Sequence, residues 1–238
     1  MFGGQSIQDF DRAMAEGVRR SFKKEFEECS KNLAMVSDVS EDSVNEILKQ
    51  KQNEYPTYKN DKNIDKLTDD KSLNKLFKNA YKLACKRVEE ETHQAMESVI
   101  FNLNSMHSRA GSQVPFSSLN FGLDTSEEGR LAMKQLLLAQ EAGLGHGETS
   151  IFPITIFRLK KGISYDPGDP NYDLFKLAMR VSAKRLFPNF ENQDAPYNMQ
   201  YYNPNDYRTE VATINKPVAL CSNAYRKTFL NKETLNKF

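Results

Sequence analysis

The side chains best able to carry chemistry are scattered along this chain. Three cysteines, Cys29, Cys85 and Cys221, lie far apart in 238 residues and form no CxxC or Cys/His metal pattern. Thiols so placed fit buried or idle positions in a reducing compartment. His93, His107 and His146 share no metal-ligand spacing, and no metal is assigned to them. The GLGHG run at 143–147 has the glycines of a phosphate loop but not its lysine or GKS/T ending. It also follows a helix, where phosphate-binding loops precede one, so it reads as a helix stop and tight turn. Glu89, Glu90 and Glu91 read as a solvated helix face. Two groups remain as binding candidates. Ser108, Arg109, Gln113, Ser117, Ser118 and Asn120 offer a polar face on or just before a strand, suited to a ribose or a phosphate; structural hydrogen bonds at a solvated strand end explain them too. Arg19, Arg20, Lys23 and Lys24 place cations on successive helical turns, where a triphosphate gains charge-assisted bonds. The solvated side of an amphipathic helix is the alternative.

The elements that must position these groups follow from periodicity. Ser6, with Asp9 three residues on, predicts a helix cap. Phe10, Met14, Val18, Phe22 and Phe26 then recur every four residues, predicting a helix to about Cys29. A short helix is expected from Glu41 to about Lys51. Residues 53–72 are polar and lysine-rich, and read as a loop or a family-specific insertion. Leu73, Phe77, Ala80, Ala84 and Val88, then Ala95, Val99 and Leu103, predict a long helix. Val114 to Phe121 and Ile151 to Lys160 read as strands. Between them Thr125 and Glu128 form a capping box for a helix to about Ala142, closed by Gly143. Asp169-Pro170 opens a further helix with Pro at its first position, and Pro188 stops it. Strand, helix, strand, helix in this order predicts an α/β fold in which helices cover a sheet or barrel.

Composition narrows the function classes. Lys+Arg 33 against Asp+Glu 32 gives a net charge of +1, without the overall positive field that nucleic-acid binding usually needs. No apolar run reaches the roughly 18 residues of a membrane span. No secretory signal is visible at Met1–Gln5, which leaves the cytoplasm as the default expectation.

From Ser108 onward the sequence resembles one family. SRAGSQVPFSSLNFGLDTSEEGR (108–130), EAGLGHGETSIFPITIF (141–157), DPNYDLFKLA (169–178), SAKRLFPNF (182–190) and TEVAT (209–213) are similar to the core of the anaerobic, glycyl-radical ribonucleoside-triphosphate reductases, and the opening FGGQS resembles the start of a long helix there. The resemblance implies reduction of ribonucleoside triphosphates to deoxyribonucleotides, with formate as the usual reductant. It implies part of a ten-stranded α/β barrel wrapped by helices, with a helical N-terminal layer, in an enzyme that is usually a homodimer. A glycyl radical, installed by an iron–sulfur/S-adenosylmethionine activase, would generate a thiyl radical on a loop cysteine, and a four-cysteine zinc site would support the radical loop. On this basis 1–107 is expected to be a helical layer with an effector or dimer surface, 108–213 a partial barrel, and 214–238 a tail foreign to the family. Ser108 to Asn120 would line the barrel toward substrate, and Arg19 to Lys24 would lie near a dNTP effector.

The chain departs from that pattern at one decisive place. In the family TEVAT runs directly into Met-Gly-Cys-Arg, which carries the thiyl cysteine; here Thr213 is followed by Ile214-Asn215-Lys216-Pro217, and Lys216 takes the cysteine's place. The upstream cysteine strand, the radical motif and the zinc cysteines do not occur either. The expectation is an internal piece of the reductase, inactive by itself. Two alternatives stand beside it: a dimerising module that binds a dNTP effector without catalysis, and a decayed reading frame.

Overall fold

The computed structural model describes residues 5–37, 39–105, 114, 116–200, 202–206 and 209–210. Four strands, β1 (Gln5–Ile7), β2 (Ser117–Phe121), β3 (Ile154–Leu159) and β4 (Asn189–Asn192), form one sheet in the order β1-β2-β3-β4, every neighbouring pair parallel. Six α-helices connect or follow them: α1 (Phe10–Met35), α2 (Glu41–Gln50), α3 (Lys71–Ser105), α4 (Glu127–Ala142), α5 (Tyr172–Arg185) and α6 (Pro196–Met199). A parallel sheet that advances in chain order is wound in one direction. Crossovers of one hand then bring the described helices to one face and, among the described residues, leave the other without them.

The pleat sorts the strand residues accordingly. Leu119, Phe121, Phe157, Leu159 and Phe190 join the core formed with α1, α3, α4 and α5. Phe157 lies at its centre, with ring centroids 5.6 Å from Phe121, 6.3 Å from Phe175 and 6.2 Å from Phe190. Alternation puts Ser6, Ser118, Asn120, Ile156, Arg158 and Glu191 on the opposite, helix-free face.

Several boundaries differ from the sequence expectations. Ser6 caps no helix; it lies in β1, and α1 starts at Phe10 with Asp9 as its N-cap residue, without a side-chain cap bond. The short polar Gln5–Ile7 segment becomes a strand because β2 supplies its hydrogen-bonding partner at Ser117 to Leu119. α1 runs past Cys29 to Met35. At α4 the cap is Ser126, whose Oγ accepts from Gly129 N–H at 3.1 Å, and not Thr125. α5 begins at Tyr172, so Pro170 precedes it and does not open it. The strand expected over Val114–Phe121 is described as Ser117–Phe121, and that expected over Ile151–Lys160 as Ile154–Leu159. Residues 53–72 are no free loop: Tyr55, Tyr58, Ile64 and Leu67 are buried in the core, with Tyr55 Oη donating to Leu48 O at 2.8 Å. β4 and α6 carry no strong period in the sequence.

Candidate functional site

In parallel α/β sheets the loops leaving the C-terminal ends of the strands converge, and binding groups collect there. Here that edge carries a buried ionic network. Asp11, in the first turn of α1, is fully buried, and its Oδ2 accepts the backbone N–H groups of Gly122, Leu123 and Asp124 at 2.8, 2.9 and 3.0 Å. One carboxylate thereby fixes the loop between β2 and α4. Gly122 makes the close approach possible: at φ +129° a Cβ would sit 2.6 Å from the carbonyl oxygen of Arg158. Asn171, also fully buried, holds the same loop from the other side, donating to Gly122 O at 3.1 Å and Asp124 O at 2.9 Å.

Arg158, the penultimate residue of β3, lies on the helix-free face with no exposed surface. Its Nη2 donates to Asp9 Oδ1 at 2.9 Å and lies 3.7 Å from Asp11 Oδ1. Asp9 also accepts from Arg12 Nη1 at 2.9 Å, and Arg12 in turn meets Glu210 at 2.8 Å. Lys160 Nζ binds Glu210 at 3.0 Å and Tyr202 Oη at 2.8 Å. Burial alone pulls both cations down, but the hydrogen bonds and charges of Glu210, with Asp11 and Asp9 for Arg12 and Tyr202 for Lys160, outweigh it and raise both above their ordinary values. Arg12 and Lys160 therefore keep their charge, and their contacts with Glu210 tie the segment at Thr209-Glu210 to the sheet edge.

Of the expected polar face, Ser118 and Asn120 stand on the helix-free side, both fully buried, with Asn120 Nδ2 donating to Ser6 Oγ at 3.1 Å. Ser117 alternates with them and shares the side of Leu119 and Phe121. Ser108, Arg109 and Gln113 lie outside the described residues, as do Lys216 and Cys221. The four expected effector cations split into two pairs. Arg19 and Lys23 line a cleft of about 190 Å³ with Phe22, Tyr55, Tyr58 and Glu128. Arg20 and Lys24, 79% and 70% exposed, pair with Glu16 and Glu28 on their own helix.

Sequence reasoning passed over Asp9 and Asp11 as site residues, and over Arg12, Arg158, Lys160 and Glu210. Two signals were present: a charged residue at the inward position of the ITIFRL strand, and the glutamate inside TEVAT. Cys29 is buried in the helical core and Cys85 half-buried, and burial raises both thiols. Among the described residues no group of three or more His, Cys, Asp or Glu side chains could hold a metal ion, and no helix is long and apolar enough to cross a membrane.

Comparison with known proteins adds sequence-wide information. The family model for anaerobic ribonucleoside-triphosphate reductase matches residues 1–228. The anaerobic ribonucleoside-triphosphate reductases of Salmonella typhimurium and Escherichia coli are each 38% identical to this chain over 109 residues, 45% of the chain and 15% of the relative. That of enterobacteria phage T4 is 32% identical over 110 residues, 46% of the chain and 18% of the relative. The matched stretch thus spans less than a fifth of each relative's length.

Proposed function

This chain belongs to the family of anaerobic ribonucleoside-triphosphate reductases, and on that premise we propose that it is a segment of the catalytic subunit, part of the wall of a ten-stranded barrel. The intact enzyme would reduce ribonucleoside triphosphates to deoxyribonucleotides for DNA synthesis by radical chemistry, with formate as reductant, a radical-SAM activase as partner and a homodimer as its working form. The observation that carries this reading is the match of the family model across residues 1–228. The geometry supports it: a parallel sheet advancing strand by strand, helices on one face and Ser118, Asn120 and Arg158 on the other, is what one arc of such a barrel requires. Substrate is assigned to the face of Ser118 and Asn120, with these two as contacts. Ser108, Arg109 and Gln113, outside the described residues, are proposed as contacts from the sequence alone, and Ser117 shares the opposite side with Leu119 and Phe121.

A thiol is needed where hydrogen-atom transfer occurs. Lys216 occupies that place, and the described cysteines are packed among helices. The 238-residue polypeptide is therefore assigned no turnover of its own. The zinc of the family finds no fitting side-chain set among the described residues.

Grafting residues 5–213 into the Escherichia coli relative, in place of the whole corresponding stretch and followed by that protein's own continuation, tests the proposal. CTP-dependent formation of dCTP is expected; a folded graft that binds activase yet forms none rejects it. A second reading, a dNTP effector module, is favoured by the cleft that combines Arg19 and Lys23 with three aromatic rings. If it holds, Lys23→Ala weakens dNTP binding in a titration by about tenfold, the worth of one charge-assisted contact, while Lys24→Ala leaves it unchanged.

A further inference from the structure

Exposed charges on the long helices pair along their own helix. Glu16 meets Arg20, Lys24 meets Glu28 and Lys86 meets Glu90, each four residues apart. The start of α3 breaks that habit. Lys71, Lys75, Lys78 and Lys82 recur at steps of four and three residues, which sets them within an arc of about 60° and over a length of about 16 Å. They line an open cleft of about 470 Å³, flanked by Asn74 and Asn79. Lys78 pairs with Asp65 at 2.7 Å. Lys71, Lys75 and Lys82 are exposed, and among the described residues their ammonium groups have no ion pair or hydrogen bond.

Helix stability does not explain the row. Cations in the first turns of a helix oppose its dipole, and like charges at these steps repel one another. The first amides of α3 already have an acceptor: Asp70 Oδ1 takes the N–H of Ser72 at 2.7 Å and that of Leu73 at 3.2 Å. A partner that brings carboxylates to the lysines offsets both penalties, and spacing identifies it. An acidic α-helix repeats carboxylates every four residues, a step of about 6 Å that matches the lysines. A single-stranded polynucleotide draws instead on a wide positive field and on aromatic rings that stack with its bases. Here Asp65 and Asp69 border the cleft, and the chain carries only +1. The exposed rings of the described residues, Phe101, Phe116, Tyr165 and Tyr197, all lie outside the segment that forms it.

We propose that the lysine row at the start of α3 is a docking surface for an acidic helix of a partner protein, one with Asp or Glu at every fourth position. Lys71, Lys75 and Lys82 hold its carboxylates, and Asn74 and Asn79 offer side-chain amides on the two flanks. The inference goes beyond the reductase reading and is tested without turnover, so either can fail alone.

The test titrates the full 238-residue chain into a fluorescein-labelled, alanine-based peptide with glutamate at every fourth position. At about 16 residues the peptide is long enough to turn helical. A second peptide of the same composition spreads its glutamates around the helix, and an oligothymidylate carries the same charge. Anisotropy at about 0.02 M salt should show the first peptide binding at least about fivefold more tightly than either control, and about 0.2 M salt should weaken it. Lys71→Gln, Lys75→Gln and Lys82→Gln together should cost about tenfold or more, the worth of three exposed ion pairs. The same three positions changed to Arg should keep the affinity, and Lys31→Gln, on an exposed part of α1, should leave it unchanged. Equal affinity for the two peptides, tighter binding of oligothymidylate, undiminished binding by the folded Gln variant, or no binding at the lower salt overturns the proposal. The peptide comparison decides even if the Gln variant fails to fold.

Discussion

Asp11 does more for this molecule than its exposed-looking sequence context, Asp-Phe-Asp-Arg, announces. Its carboxylate replaces water for three consecutive amides and stands beside the buried Arg158. Asp11→Asn keeps the shape but swaps an acceptor-only group for one that is half donor, and removes the charge. A loss of about 2–4 kcal/mol in urea unfolding is expected; a loss below about 0.5 kcal/mol contradicts this role for Asp11. Tyr58 shows a second buried dependence. Burial first, then its hydrogen bond to Glu89 at 2.6 Å, pushes its phenol well above the ordinary value, and burial does the same for Tyr55 and Tyr81. A group whose pKa is raised by folding stabilises fully below its unfolded pKa, and that stabilisation fades as pH climbs toward the folded one. The melting temperature should therefore fall above about pH 10, and Tyr58→Phe should flatten the decline. An unchanged slope in a pH series of melts would remove Tyr58 from the explanation. None of these partners was legible in the sequence, because each contact joins residues from separate elements.

At the scale of elements the sequence was readable where periodicity was strong. α3, α4 and α5 carry apolar residues at helical spacing, and ITIF is β-branched and aromatic enough to mark β3. It failed where an element exists only through its neighbours: Gln5–Ile7 and Asn189–Asn192 are strands because β2 and β3 accept them into register. The polar stretch at 53–72 misled for a related reason. Tyr55, Tyr58, Ile64 and Leu67 are irregularly spaced, so no period reveals them, yet a non-periodic segment buries them against α1 and α3 all the same. Joints between elements are where single changes act most sharply. Gly122 links β2 to α4 in a left-handed conformation pressed against β3. Gly122→Ala is expected to cost about 2 kcal/mol or more in chemical unfolding, and to disturb the amides that Asp11 collects. A near-neutral effect would show that this loop has room the structure denies it.

For the whole molecule, the formal charge of +1 leaves no net field to steer a ligand, so recognition depends on where opposite charges are confined. They are confined at the C-terminal edge of a sheet wound in a single direction. A doubly wound sheet would cover both faces with helices. Among the described residues this one carries helices on one face and Ser118, Asn120 and Arg158 on the other. The chemistry proposed for the family passes through a sulfur, and position 216 presents an amine. The most direct measurement is an anaerobic assay of the purified 238-residue chain with activase, formate and CTP. The account predicts no dCTP above the enzyme-free control. Sustained formation of dCTP by this polypeptide with no other reductase subunit present would contradict it.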